Sequence, residues 1–378
     1  MTGRKTVRAF APGRTEIAGN HVDHQGGRVV AATVGQGVSV VMEASGGHHA
    51  HLISEGFGPV DLDVRDVEPR AGEAGTSAAL VRGMVAGCKA AGIPVGGFSA
   101  RLRSSVPAGG GLSSSAAFEL AVGAGLARLF ADAALPPLEL ARMGQAAERD
   151  FFGKPCGLMD QASIAFGGIE EMDFAEEEAR VEAVDFSFAD AGLALCLIDV
   201  GADHAALTPL YAQIPLDMQA AAGFYGAKRL CAVPEDRFFV GFDSLRAQLG
   251  DRVALRAFHY YREMRLVDER LEALRAGDAG AFLRATRASA HSSAEYLQNV
   301  SVPGEASQPA QVALALADAW LGERGAARIH GGGFGGTIQA YVPLDGVEGF
   351  ASYMDAHLAP GATCVLDLTT QGACARWE

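Results

Sequence analysis

Val106-Pro107-Ala108-Gly109-Gly110-Gly111-Leu112-Ser113-Ser114-Ser115-Ala116-Ala117 is the stretch around which the rest of the chain has to be arranged. Three consecutive glycines let the backbone turn tightly with several N–H groups facing one point. Serines follow. An apolar run comes next, with Phe118, Val122, Leu126 and Leu129 on one helical face. The start of such a helix carries partial positive charge, so loop and helix together make an anion site. The serine hydroxyls can donate to phosphate oxygens or coordinate a hard cation. The Lys of G-x-x-x-x-G-K-[ST] is missing, which excludes a Walker A site. A plain strand-to-helix connection with a serine N-cap fits the same residues. The loop alone does not decide between the two.

Working outward, apolar runs at residues 38–42, 51–53 and 98–102 predict strands. Leu80, Val81, Met84, Val85 and Cys88 fall on one helical face, with Thr76 or Ser77 as cap and Gly92 and Pro94 as the stop. Pro136 and Pro137 open a further helix that carries Glu148. Residues 170–184 are strongly acidic with little period and read as a junction. Residues 193–200 read as a buried strand. Beyond them, helical segments at 254–276 and 309–320 alternate with strands at 338–342 and 363–368. No internal repeat is visible. The irregular order of strands and helices predicts an α+β fold, and 378 residues suggest two domains, 1–180 and 181–378.

Composition narrows the function. Hydrophobic residues make up 49% of the chain and charged residues 20%, enough for a large core. The 48 glycines follow no period, which excludes a collagen-like repeat. The net charge of −14 and the lack of any basic block argue against a nucleic-acid partner. A polyanionic ligand would therefore need local help from backbone amides, a metal ion or a few placed cations. Cys88, Cys156, Cys196, Cys231, Cys364 and Cys374 are scattered without a CxxC pair, as expected of reduced thiols. Residues 1–5 lack the apolar stretch of a signal peptide, and no run reads as a membrane span. The expectation is a cytoplasmic protein with no membrane partner.

Two further segments change the reading of the loop. One is Pro12-Gly13-Arg14-Thr15-Glu16-Ile17-Ala18-Gly19-Asn20-His21-Val22-Asp23-His24-Gln25-Gly26-Gly27. The other is Arg328-Ile329-His330-Gly331-Gly332-Gly333-Phe334-Gly335-Gly336. In order and spacing, the three segments resemble the three motifs of the GHMP kinases. The pattern Gly-Arg-x-x-x-x-Gly-x-His-x-Asp-x-x-Gly-Gly looks like the galactokinase signature, and so does Cys156-Gly157-Leu158-Met159-Asp160-Gln161. The resemblance runs from about Arg8 to Gln371-Gly372-Ala373, nearly the whole chain.

The resemblance implies a two-domain GHMP kinase. Its N-terminal domain would be like ribosomal protein S5 domain 2. Its C-terminal domain would be ferredoxin-like, with the last strand returning to the first domain. It implies ATP as co-substrate, a galactose-type sugar as acceptor, Mg²⁺ as cofactor, and a monomer or weak homo-oligomer. Pro107, Gly109, Gly110, Gly111, Leu112, Ser113, Ser114, Ser115 and Ala116 would bind ATP. Ser115 and Glu148 would hold the metal. Asp160 and Arg14 would be catalytic. Asn20, His21, Asp23, Gly157, Asp160 and Tyr211 would bind the sugar. An ordinary core role for Tyr211, an N-cap role for Asp160, a surface ion pair for Arg14, a solvated carboxylate for Glu148 and a metal cluster at His21-Val22-Asp23-His24 remain open. His48, His49 and His51 read as an exposed turn without function.

The sugar motif departs from the family pattern. Asn20 stands where galactokinases have Glu, and Asp23-His24-Gln25-Gly26-Gly27 replaces Asp-Tyr-Asn-Gly-Gly. The family's Glu lies near the sugar's C6 end, so Asn20 implies less repulsion of a C6 carboxylate. The Asp-His-Gln-Gly-Gly form is similar to that of galacturonokinases. Galactose is the first expectation and galacturonate the second. A non-catalytic sugar sensor is a further class, opposed by the intact serine loop. Kinases for mevalonate or homoserine are another, opposed by the Gly19–Asp23 run.

Overall fold

The computed structural model describes residues 6–55, 58–106, 110–201 and 207–378. Strands β1 (Thr6–Ala18) and β2 (Arg28–Ala44) form a long antiparallel pair. β3 (His49–Ser54) and β4 (Val60–Asp63) follow, then α1 (Ser77–Ala90) and β5 (Phe98–Ser104). The Thr76 side chain caps α1 by accepting from the Ala79 N–H at 3.4 Å, one of the two caps expected. The glycine-serine loop leads into α2 (Ser114–Ala131), then α3 (Pro137–Ala146), a π-helical turn (Ala147–Phe152) and α4 (Met159–Phe166).

The acidic stretch read as a junction is folded. It forms the hairpin β6 (Ile169–Asp173) and β7 (Arg180–Ala183), and β6 pairs with the first half of β2. Its charges survive there because Arg28, Arg180 and Arg275 meet Glu171 and Asp173.

The second sheet is built from β8 (Leu193–Asp199), β9 (Ala326–Ile329), β10 (Thr337–Pro343) and β11 (Thr363–Leu366). Its order is β11-β8-β10-β9 and every pairing is antiparallel. That is the strand order of a ferredoxin-like sheet. Between β8 and β9 lie α5 (Thr208–Phe224), α6 (Glu235–Leu249), α7 (Asp251–Ala276), α8 (Ala279–Ser292) and α9 (Pro309–Leu321). After α10 (Val347–His357), the chain ends in β12 (Cys374–Trp377), which pairs with β1 in the first sheet. The first sheet has the order β12-β1-β2-β5-β3-β4, with β3 and β5 as its parallel pair.

α2 is 18 residues long and apolar enough to cross a membrane by length and composition. It is a core helix: Leu120, Ala121, Val122 and Leu126 are fully buried, and it packs on β1, β2 and α1. All six cysteines are free thiols.

Candidate active site

The last part of β1 runs beside the glycine-serine loop, and this contact creates the site. The Arg14 N–H donates to the Leu112 carbonyl at 3.1 Å, and its Nη1 to the Gly111 carbonyl at 2.7 Å. A Cβ on Gly13 would stand 2.9 Å from the Leu112 oxygen, so only glycine allows this approach. Gly111, at φ 69°, lies against His330 Nδ1 and Thr337 Oγ1, where a Cβ would come within 2.9 Å of both. The three motifs, far apart in sequence, thus meet within a few residues of Gly111. Of the nine residues expected to bind ATP, Pro107 and Gly109 lie outside the described residues. Gly110, Gly111 and Ser113–Ser115 are accessible. Leu112 and Ala116 are buried, so any contact they make with a ligand is through the backbone.

Ser113 holds a left-handed backbone at φ 55° and gives α2 no side-chain cap. For a residue with a Cβ that conformation is strained, and such strain gathers at functional sites. Its hydroxyl instead donates to Asp160 Oδ2. Arg14 reaches the same carboxylate with two prongs, Nε to Oδ1 at 2.7 Å and Nη2 to Oδ2 at 2.8 Å. The cap of α4 is Leu158, and Asp160 lies in the first turn, where the helix end favours an anion. Burial alone would raise the Asp160 pKa. The Arg14 charge and hydrogen bonds, with the Ser113 hydroxyl, outweigh it and hold the carboxyl below its usual range. The Asp160 side chain keeps 29% of its surface exposed against 8% for Arg14, so the carboxylate is the member of the pair open to a ligand.

Glu148 is buried on the π-helical turn and Ser115 lies on the first turn of α2. The Ser115 hydroxyl donates to Glu148 Oε1 at 3.0 Å, and Lys154 Nζ approaches the same oxygen at 2.9 Å. Gln161 Nε2 donates to Oε2 at 2.8 Å. A carboxylate beside a hydroxyl is a hard-oxygen pair of the kind Mg²⁺ shares with nucleotide phosphates, since that ion is usually held by one or two carboxylates and not by an all-protein cage. Glu148 is therefore not a solvated helix carboxylate. Among the described residues no group of three or more His, Cys, Asp and Glu side chains is placed to hold a metal ion, which removes the cluster reading of His21–His24.

The sugar motif forms the loop after β1. Asn20, expected to face the sugar, is fully buried instead. Its Nδ2 donates to the Gly331 carbonyl at 2.8 Å, and its Oδ1 accepts from Ser293 Oγ at 3.2 Å and Asn299 Nδ2 at 2.9 Å. The residue fastens the sugar loop to the third motif. The argument that its neutrality favours a C6 carboxylate loses its geometric basis. His21, at φ 57°, points Nε2 to the Gly332 carbonyl at 3.0 Å. Burial, reinforced by nearby His24, lowers its pKa to about 4, so the ring is neutral at neutral pH. Asp23 is half-buried, and burial raises its pKa. A Cβ on Gly157 would lie 1.9 Å from Asp23 Oδ2, so glycine is required where the Cys156–Gln161 turn meets the sugar loop. Tyr211 stacks edge-on against Phe334 at 5.7 Å, and Gly332 packs on its ring. Arg14, Asp160, the serine loop and Glu148 thus come together, as do Asp23 and Gly157. Tyr211 belongs to the third-motif side.

Comparison with known proteins agrees with this geometry. The description "GHMP kinases N terminal domain" matches residues 79–168, and "Galactokinase galactose-binding signature" matches residues 1–44. A galactokinase of Actinobacillus pleuropneumoniae is 31% identical over 348 residues, covering 90% of this chain and 86% of the relative. The chain belongs to the galactokinase family. A further family member, from Streptomyces coelicolor, is 30% identical over 360 residues, covering 93% and 88%. The solved Lactococcus lactis galactokinase complexed with galactose has a TM-score of 0.84 at 24% identity, covering 97% of this chain and 94% of that one. A mevalonate kinase gives a TM-score of 0.69 at 14% identity over 96% and 99%. The expected α+β GHMP kinase fold is therefore correct, and this galactokinase-family chain is an ATP-using phosphotransferase.

Several residues of the site escaped the sequence reading. His330 bridges Thr15 Oγ1 at 3.0 Å and Thr337 Oγ1 at 3.1 Å. Glu263 receives the Gly19 N–H at 3.2 Å, and His259 Nε2 meets the Asn20 carbonyl oxygen at 2.9 Å. Glu119 and Gln161 are both fully buried behind Glu148. One signal was available: Glu119 is a lone acid in the otherwise apolar run from Ala116 to Ala127.

Proposed function

We propose that this enzyme transfers the γ-phosphoryl group of ATP to the anomeric C1 hydroxyl of galactose, giving galactose 1-phosphate. The observation that carries the reading is the Arg14–Asp160–Ser113 connection. One carboxylate is tied to the anion loop and still open on its other side.

In this reading the backbone N–H groups around residues 110–116 and the start of α2 receive the nucleotide phosphates. Ser115 and Glu148 hold Mg²⁺, which when bound neutralises charge on the phosphates. Asp23 and His21 engage sugar hydroxyls, with Gly157 and Tyr211 shaping the pocket. Asp160 accepts a hydrogen bond from the C1 hydroxyl and aims its oxygen at the γ-phosphorus. The C1 oxygen–phosphorus bond forms as the bond to the ADP oxygen breaks, and the hydroxyl proton passes to Asp160. A carboxylate held below its usual pKa is a weak base. Its main contribution is therefore orientation, with the proton arriving late, once the attacking oxygen has become acidic. Arg14 keeps Asp160 ionised and adds positive charge beside the phosphoryl group.

The intact serine loop and the Arg14–Asp160 pair favour a catalyst over a sugar sensor, and the galactokinase relatives favour galactose. An ATP-coupled assay on galactose, galacturonate, N-acetylgalactosamine and arabinose tests the reading. Turnover is expected with galactose first. Activity on galacturonate alone would overturn the choice of sugar, and ADP release with none of them would overturn the kinase reading.

A further inference from the structure

Behind Glu148 stands a polar arrangement that the transfer reaction as described does not use. Gln161, one residue after Asp160, spends both hydrogens of a single amide nitrogen on carboxyl groups. Nε2 donates to Glu148 Oε2 at 2.8 Å and to Glu119 Oε2 at 3.3 Å. Glu119 lies on α2 one helical turn after Ser115, so both project from the same face of that helix. Glu119 and Gln161 have no exposed surface, and one oxygen of each, Oε1, has no hydrogen-bond partner among the described residues. Burying such groups is costly. The backbone is shaped to admit them. A Cβ on Gly144 of α3 would stand 3.1 Å from both Gln161 Cγ and Glu119 Oε2.

A costly buried polar pair needs a reason, and the geometry supplies one. Glu148 could turn either oxygen outward. Gln161 occupies Oε2, which leaves Oε1 facing Ser115 and Lys154. Glu119 in turn fixes the amide of Gln161. Burial carries the Glu119 carboxyl up to about 9, with the Glu148 charge adding to the shift, so two like charges do not confront each other there.

We propose that Gln161, seated on Glu119, is a positioning residue of the metal site: it locks the Glu148 carboxylate so that Oε1 is presented to Ser115 and the bound ion. The inference rests on the reading that Ser115 and Glu148 hold Mg²⁺. Outer partners of ligating carboxylates typically change metal affinity about 10–100-fold when removed.

Mn²⁺ serves as the probe, with its binding to the full-length enzyme in the presence of ADP followed by electron paramagnetic resonance. Gln161→Met is expected to weaken Mn²⁺ binding roughly ten-fold or more. Affinity for ADP without metal and the melting temperature should stay near wild type. Unchanged Mn²⁺ binding would overturn the proposal. If Gln161→Met misfolds, the Glu119 variants decide. Glu119→Leu should weaken Mn²⁺ binding, and Glu119→Gln, which still accepts the Gln161 N–H, should restore it. Equal behaviour of the two Glu119 variants overturns the proposal. Glu148→Gln separates the two levels. If it leaves Mn²⁺ binding intact, the metal reading itself fails. If it weakens binding while Gln161→Met does not, only the positioning role fails.

Discussion

Two buried arginine–carboxylate pairs flank the sugar loop, and they are built to opposite specifications. Arg14–Asp160 lies on the cleft side, bidentate, with a carboxylate that remains partly exposed. Arg270–Glu263 lies on the far side, inside α7, with neither side chain exposed. Glu263 Oε1 alone accepts from the Gly19 and Asn20 N–H groups and from Ser289 Oγ, and Arg270 also binds the Leu266 and Ile17 carbonyls. Both carboxyls are held below their ordinary pKa by arginine against the opposing effect of burial. The same ion pair thus leaves its carboxylate open where the proposed chemistry needs it, and turns it wholly inward where it fastens the sugar loop to α7.

The comparison can be broken most forcefully at Asp160. Asp160→Asn should lower turnover by about 10²–10⁴-fold, the range for a lost proton acceptor, while galactose binding by calorimetry and the melting temperature stay near wild type. Joint loss of binding and stability would put this pair in the architectural class. Glu263→Gln should do the reverse. It leaves the Arg270 charge buried without its partner, at a cost of about 3–5 kcal/mol, read from urea denaturation. A normal denaturation midpoint would contradict the assignment.

A third test concerns the ring beside the cleft. His21 is lowered to about 4, so it is neutral well below the ordinary histidine range. Galactose affinity should show no inflection near pH 6.5 and should weaken only as pH falls towards 4. A titration of binding with a midpoint near 6.5 would show a charged ring.

An effect that grows with pH is expected where a carboxyl is buried with no cation beside it among the described residues. Glu170 is 3% exposed, its Oε2 has no hydrogen-bond partner among the described residues, and burial lifts its pKa to about 8. A raised carboxyl pKa means that the folded state holds its proton longer than the unfolded chain, so stability is lost as pH rises from about 4.5 towards 8. Glu170→Gln removes that loss. It should be increasingly stabilising over wild type across this window, as measured by denaturation at pH 5, 6, 7 and 8.

Most of the fold was legible because its signals are local. The apolar faces of α1 and α2, the short strands and the proline that opens α9 can each be read within a few residues. The motifs also announced the cleft, since left-handed or Cβ-free positions such as Gly13, Gly111 and Gly157 require glycine. What stayed hidden depends on tertiary placement. The acidic run at 170–184 carries no sign that distant arginines would convert it into a hairpin. Asn20 sits amid sugar-motif residues, yet its amide is claimed by Ser293, Asn299 and Gly331 from other parts of the chain. Arg256, His259, Glu263 and Arg270 have the spacing of one helical face and look like a solvated stripe. The position of α7 against the sugar loop, and at Arg256 against Asp217 of α5, makes that face an interior one.

The pairing of β12 with β1 bears on how the enzyme is made. Arg8 and Glu378 bond across a separation of 370 positions. On the ribosome, the outer edge of the strand that carries Arg14 must wait unpaired until β12 has been made. An unpaired edge is a template for a neighbouring nascent chain, so this kinase should depend on chaperones more than its size suggests, and loss of the β12 pairing would harm yield before it harmed catalysis.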